Sequence, residues 1–252
     1  MTRCVYFLTT VHNTTNIIIK DVPVCSCIVE CDDGTLAMID TGTTGNPELL
    51  ENMDQWGYQP TDINLLINTH LHPDHAGNNH LFTNARIVLS RADWQWQTDL
   101  EKKLQDCQDS VSLLRNLGRS VDESLQLICT DLKNLAEEYP LQVRGGDFSQ
   151  IEWIEDQPDL PKGWNLIPAP GHTPNSYAIE IAGNVPLLIS GDALYHRDLW
   201  QTETVTALHN NAVQFQKTAS QLNKFNGIII PGHDNAFNNN SHAYLQDEYI
   251  CL

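Results

Sequence analysis

Four short polar clusters carry the residues able to do chemistry, and each follows an apolar run. Residues 64–69 (NLLINT) lead into His70, His72, Asp74 and His75, and residues 164–169 lead into Gly171-His172. Residues 185–190 lead into Gly191-Asp192, and residues 227–231 into Gly232-His233-Asp234. Imidazole and carboxylate are the ligands of Zn, Fe, Mn and Co. One tetrahedral ion takes at most four protein donors. Five histidines and two aspartates therefore suit two ions that share a carboxylate. Any one of these histidines alone would read as an ordinary hydrogen-bonded side chain. The HxHxDH cluster is different, because without a cation its desolvation is costly.

Open sheets gather ligands at strand ends, and glycine lets the backbone turn tightly there. The runs before the clusters are short and apolar, as buried strands are. Further strands are expected over residues 24–31 and 35–41, joined by the turn Asp32-Asp33-Gly34. Others are expected over 86–90 and 176–182, with Gly183-Asn184 as a second turn. Helices are expected over 47–57 and 210–225, the latter with Ala212, Phe215, Ala219 and Leu222 on one face. From residue 91 to about 150 the strand signal lapses. Leu100, Leu104, Cys107, Val111 and Leu114 recur at helical spacing, as do Val121, Leu125, Ile128, Leu132, Leu135 and Tyr139. Gly118 separates the two series, and Ser120 with Glu123 forms a capping box. This is a helical insertion over 91–150, able to cap a site or to form a homodimer interface. No linker divides the chain, so residues 1–252 are expected to form one domain.

In this order THLHPDHAGN, PGH, SGD and PGHD resemble the metallo-β-lactamase superfamily of hydrolases, from about Cys25 to Asp234. The resemblance implies an α/β fold, a four-layer αββα sandwich with the metal site at one edge. It assigns His70, His72 and His172 to a first metal, Asp74, His75 and His233 to a second, and Asp192 to the bridge between them. Asp40, in Asp40-Thr41-Gly42, matches a turn that supports the ligands from behind. The implied cofactors are two divalent ions, zinc foremost, with Fe, Mn or Co as alternatives. The implied chemistry is attack by a hydroxide bridging the two ions, with Asp74 handling a proton.

Asp192 argues against an antibiotic-hydrolysing role, since the true β-lactamases of this fold generally lack that carboxylate. Tyr195, three residues after Asp192, is similar to the tyrosine of N-acyl homoserine lactonases that reaches the metal centre. A lactonase or carboxylic esterase is therefore expected, with Tyr195 stabilising oxyanion charge. His196-Arg197-Asp198, Trp200 and the length of the insertion depart from that branch. The alternatives are a phosphoester or organophosphate hydrolase and a glyoxalase II-type thioesterase; the acidic tail lacks the basic character of the latter. A redox metalloprotein without turnover ranks last. Trp94, Trp96, Trp200 and Phe237 are candidate walls of an apolar substrate pocket, or else core aromatics.

Composition restricts the partners. Hydrophobic residues make up 41%, enough for a core, and 14 Lys plus Arg against 32 Asp plus Glu leave a formal net charge of −18. That balance disfavours nucleic acid and anionic membranes and leaves a small molecule as the partner. No apolar run is long enough to span a membrane, and VYFLTTV near the start has no cleavage signal. Seven cysteines, an odd number without a CxxC pair, fit free thiols in the cytoplasm better than a disulfide framework.

Overall fold

The computed structural model describes residues 2–11, 23–118, 123–200 and 210–252. Two sheets stack face to face. The first carries seven strands in the order β12-β1-β2-β3-β4-β5-β6, the second five in the order β11-β10-β9-β8-β7. In the first sheet, β1 (Arg3–Thr10), β2 (Pro23–Glu30) and β3 (Leu36–Ile39) form an antiparallel succession. Then β4 (Leu65–Ile67), β5 (Arg86–Leu89) and β6 (Ile151–Trp153) add in parallel, and β12 (Tyr249–Cys251) pairs with β1. The second sheet comprises β7 (Trp164–Pro168), β8 (Tyr177–Ile181), β9 (Leu187–Gly191), β10 (Ile228–Pro231) and the short β11 (Phe237–Asn238). Its β9 and β10 are parallel.

Alternation explains the layers. Cys25, Cys27 and Val29 of β2 point between the sheets, where Ile179, Ile181, Leu187, Ile189 and Ile230 meet them. Ile28, Met38 and Leu66 point to the opposite face, where α1 (Glu48–Gln55) buries Leu49 and Met53 against them. Outside the second sheet, Leu188 and Ile229 pack with Leu222 of α6 (Ala212–Leu222). The result is the αββα arrangement expected.

Several details differ from expectation. The sequence reading left β1 unassigned: Cys4–Phe7 are buried in succession, so its two covered faces erase the period of two. The buried residues of α6 are Thr218 and Leu222, while Ala212 is exposed. In the insertion, the first apolar series is not one helix. It breaks into α2 (Arg91–Asp106) and α3 (Ser110–Asn116), because Cys107 is extended and Asp109 caps the restart by accepting from the Val111 N–H at 3.0 Å. Next come α4 (Glu123–Glu138) and the single turn α5 (Leu141–Arg144). Leu100, Leu104, Leu114, Cys129 and Ala136 form their shared core. The capping pair of Ser120 with the Glu123 side chain lies outside the described residues.

Candidate metal centre

The ends of β4, β7, β9 and β10 converge at one edge of the sandwich, and backbone contacts lock them together. The Tyr177 N–H donates to Thr69 O at 2.8 Å, and the Cys25 N–H to Gly232 O at 2.8 Å. The His233 N–H donates to Tyr195 O at 2.9 Å. Two glycines are required by close approach. A Cβ on Gly232 would strike the Asp192 carboxylate, and Gly191, at φ +48°, turns where a Cβ would strike Thr69.

All seven predicted ligands meet there. His70, His72, His172 and Asp192 form one group, and Asp74, His75 and His233 another; within each, the ligand atoms lie within 4.8 Å of one another. Asp192 joins them, with Oδ2 at 3.0 Å from His172 Nε2 and Oδ1 at 3.1 Å from His75 Nε2. His72 Nδ1 stands 3.1 Å from His70 Nε2 and 2.8 Å from His172 Nε2. His233 Nε2 lies 3.4 Å from His75 Nε2 and 3.7 Å from Asp74 Oδ2.

Partners behind the rings fix which nitrogen faces the centre. Asp40 accepts from His75 Nδ1 at 2.8 Å and from the Thr69 hydroxyl at 2.6 Å. Because Thr69 spends its proton on Asp40, its oxygen accepts from His70 Nδ1 at 3.1 Å. His233 Nδ1 donates to Pro23 O at 2.6 Å. His70, His75 and His233 therefore all turn Nε2 inward. Asp40 pays for this role with a left-handed backbone, φ 55°. It stands where the sequence reading put it, behind the ligands.

This donor set fits a cation. Asp192 Oδ1 has no hydrogen-bond partner among the described residues and faces the inward nitrogens of His75 and His233 at 3.1 and 3.2 Å. Two ligands on one tetrahedral zinc lie about 3.3 Å apart, close to the 3.1 Å between the His70 and His72 nitrogens and the 3.4 Å between those of His75 and His233. Electrostatics agree. Burial drives His70 well below its ordinary pKa, with the charge of His75 adding to it. Burial opposes charge on His75 too, yet Asp192, Asp40 and Asp74 together raise it well above the usual value. Asp192, despite burial, is held well below the carboxylate range by His233, His75 and His172. A divalent ion satisfies these lone pairs without crowding imidazolium ions side by side.

Tyr195 lies over the cluster. Its ring stacks on His233, centroids 4.1 Å apart and 19° between planes, and sits 5.8 Å from His172. Burial, then Asp192 and Asp74, push its hydroxyl well above the ordinary tyrosine range, so it keeps its proton. Asp74 is the open carboxylate, 23% exposed against 2% for Asp192. Among the described candidate pocket aromatics, only Trp96 is placed beside the ligands, 6.1 Å from His72. Phe237 is wholly buried in the core, and Trp94 packs edge-on to Phe148 and Trp153. The Trp200 side chain lies outside the described residues. The sequence reading missed three buried residues: Asp93 and Arg144, which bond the His70–His75 loop, and Glu101, which pairs with Arg144. Asp93, Gln97 and Glu101 fall at spacings of four, a polar stripe that helical periodicity could have shown.

The family description "Metallo-beta-lactamase superfamily" matches residues 21–233. An N-acyl homoserine lactonase of Bacillus sp is 24% identical over 243 residues, covering 85% of this chain and 82% of its own. Among solved structures, AidC, a dizinc quorum-quenching lactonase, superposes with a TM-score of 0.63 at 18% identity, over 91% of this chain and 85% of that one. The hydrolase AbOPH of the beta-lactamase superfamily gives 0.62 at 17%, over 92% and 87%. At these identities the two structures establish a shared fold. Strand order, ligand cluster and family match agree: the chain belongs to the metallo-beta-lactamase superfamily and is a metal-dependent hydrolase.

Proposed function

We propose that the chain is a dinuclear hydrolase that opens a lactone or related carboxylic ester, in the manner of an N-acyl homoserine lactonase. One observation carries this reading: two ligand groups share Asp192, and Tyr195 spans His172 of one and His233 of the other. His70, His72 and His172 hold one ion, Asp74, His75 and His233 the second, and Asp192 both. Zinc is the ion we assign. When bound, two such ions supply a water activated as a nucleophile at neutral pH and a Lewis acid for a carbonyl oxygen. The Tyr195 hydroxyl donates a hydrogen bond to the oxygen on which charge develops. Asp74, the carboxylate open to solvent, accepts the proton released by the attacking water and passes it to the departing alkoxide. A cavity of about 130 Å³, lined by Trp96, Asp99, Leu100, Lys103, Leu117 and Asn210, adjoins the cluster through Trp96, beside His72. Asn210, also in its lining, donates its N–H to His172 O at 3.0 Å. Its Trp96, Leu100 and Leu117 side offers an acyl chain apolar contact, and Asp99 and Lys103 offer polar contact to the rest of a substrate. The free thiols support a reducing, cytoplasmic setting.

The test pairs metal analysis with a substrate panel: a long-chain acyl homoserine lactone, an aryl ester, a phosphodiester and S-lactoylglutathione. We expect two metal ions per chain and lactone turnover. In Tyr195→Phe we expect kcat to fall by about 100-fold at unchanged metal content, the size of one lost oxyanion donor. Turnover of the phosphodiester or thioester alone rejects the lactone. Fewer than one ion per chain, not restored by Zn, Mn or Co, rejects the metal centre.

A further inference from the structure

The peptide between the first two ligands is held from both sides by buried side chains of the insertion. The Leu71 N–H, between His70 and His72, donates to Asp93 Oδ2 at 3.0 Å. Leu71 O accepts from Arg144 Nη2 at 3.1 Å, and Arg144 Nη1 reaches Ala76 O, beyond His75, at 3.4 Å. Arg144 is fully buried and pairs with Glu101 at 2.7 Å; Glu101 also accepts from the Leu141 N–H at 2.7 Å and from Gln97 at 2.9 Å. Asp93 is likewise fully buried, and Thr173, next to His172, and Asn175 also face its carboxyl. Thus α2 and α5 touch the loops of His70, His72, His75 and His172 without supplying a ligand.

Burying these charges where apolar side chains would pack is costly, and a mere packing layer does not require it. Asp93 and Arg144 meet on the backbone that sets ligand spacing, and Glu101 holds Arg144 there. Arginine suits this place, because its planar fork reaches two carbonyls and a carboxylate at once. We propose that Asp93, Arg144 and Glu101 are positioning residues, which fix the separation of the His70 and His72 imidazoles and so set how tightly this site holds its ion. The inserted helices are then part of the scaffold of the metal centre. The inference rests on reading the His/Asp cluster as that centre.

The experiment measures zinc and cobalt affinity of the full chain by chelator competition, beside its thermal midpoint. Variants are Asp93→Ala, Asp93→Asn, Arg144→Lys and, as control, Leu104→Ala. We expect Asp93→Ala and Arg144→Lys to weaken the tighter ion by 10- to 100-fold, the usual effect of losing such support (about that range in measured cases). Asp93→Asn, which keeps an oxygen for the Leu71 N–H, should restore at least tenfold of the loss. Leu104→Ala, in the core of the insertion away from the loop, should lower the midpoint and leave affinity unchanged. Wild-type affinity in Asp93→Ala overturns the inference, as does a loss in Leu104→Ala equal to that in Asp93→Ala. A wild-type chain that binds neither metal overturns the metal-centre reading itself.

Discussion

Asp93 shows how one residue records its surroundings. Burial pushes its carboxyl up from 3.8 to about 6, against the opposing effect of the Leu71 N–H that it accepts from and of the polar groups of Thr173 and Asn175 that face it. The folded state therefore takes up a proton between these values that the unfolded state does not. Stability contributed by the protonated acid is present below the unfolded value and fades as pH rises through about 6. The size is about 3 kcal/mol, from about 1.4 kcal/mol per pKa unit. Other carboxylates titrate in the same window, so the difference between wild type and Asp93→Asn is the quantity to follow. Urea denaturation across this range should find the variant gaining on the wild type by roughly that amount as pH rises. A difference that does not change with pH would mean that Asp93 titrates like an exposed carboxylate.

At the scale of elements, the centre depends on strands that stop where glycine allows two backbones to meet. Gly232 follows β10 and faces the Asp192 carboxylate, whose own strand ends at Gly191. Gly232→Ala must displace either β10 or the carboxylate that joins the two ligand groups. We expect a stability loss of about 1–3 kcal/mol, typical of overpacking, together with the loss of at least one bound ion. Metal content of the purified variant, with its denaturation midpoint, checks both. A fully loaded variant with an unchanged midpoint would show that the strand ends have slack. The inserted helices show the converse: α2 turns an apolar face to its helical partners and the polar stripe of Asp93, Gln97 and Glu101 to the ligand loop.

For the whole molecule, the formal net charge of −18 sets the background. The fold must be stable against this repulsion and against a cluster of seven ligand groups of which all but His72 and Asp74 are buried. Ions bound only by the folded state stabilise it by mass action, about 4 kcal/mol at a thousandfold excess over Kd. For a chain of this size that is roughly 10 °C in Tm. Removing metal with a chelator should lower Tm by about this amount, and Zn or Co should restore it. Magnesium should not, because it prefers oxygen ligands. A Tm indifferent to chelation would place the cluster's stability in its hydrogen bonds alone.

Much of this was legible in the sequence, because the signals are local. Each ligand follows an apolar strand within a few residues, so the HxHxDH, PGH, SGD and PGHD clusters could be read without knowing how the chain folds back. Asp40 was legible for the same reason, in a short turn at a strand end. Strand β1 was not: burial on both faces removed its periodicity, and only pairing with β2 defines it. Nor was the break at Cys107, since its apolar spacing continues across a backbone that does not. The tertiary structure alone decided which imidazole nitrogen faces inward, because Pro23 O and Asp40 arrive from other parts of the chain, and Asp40 also takes the proton of Thr69, the neighbour of His70. It alone brought Asp93 and Arg144 to the two sides of Leu71. Residue type and spacing determine which ligands exist; the distances between them are set by contacts among residues remote in sequence.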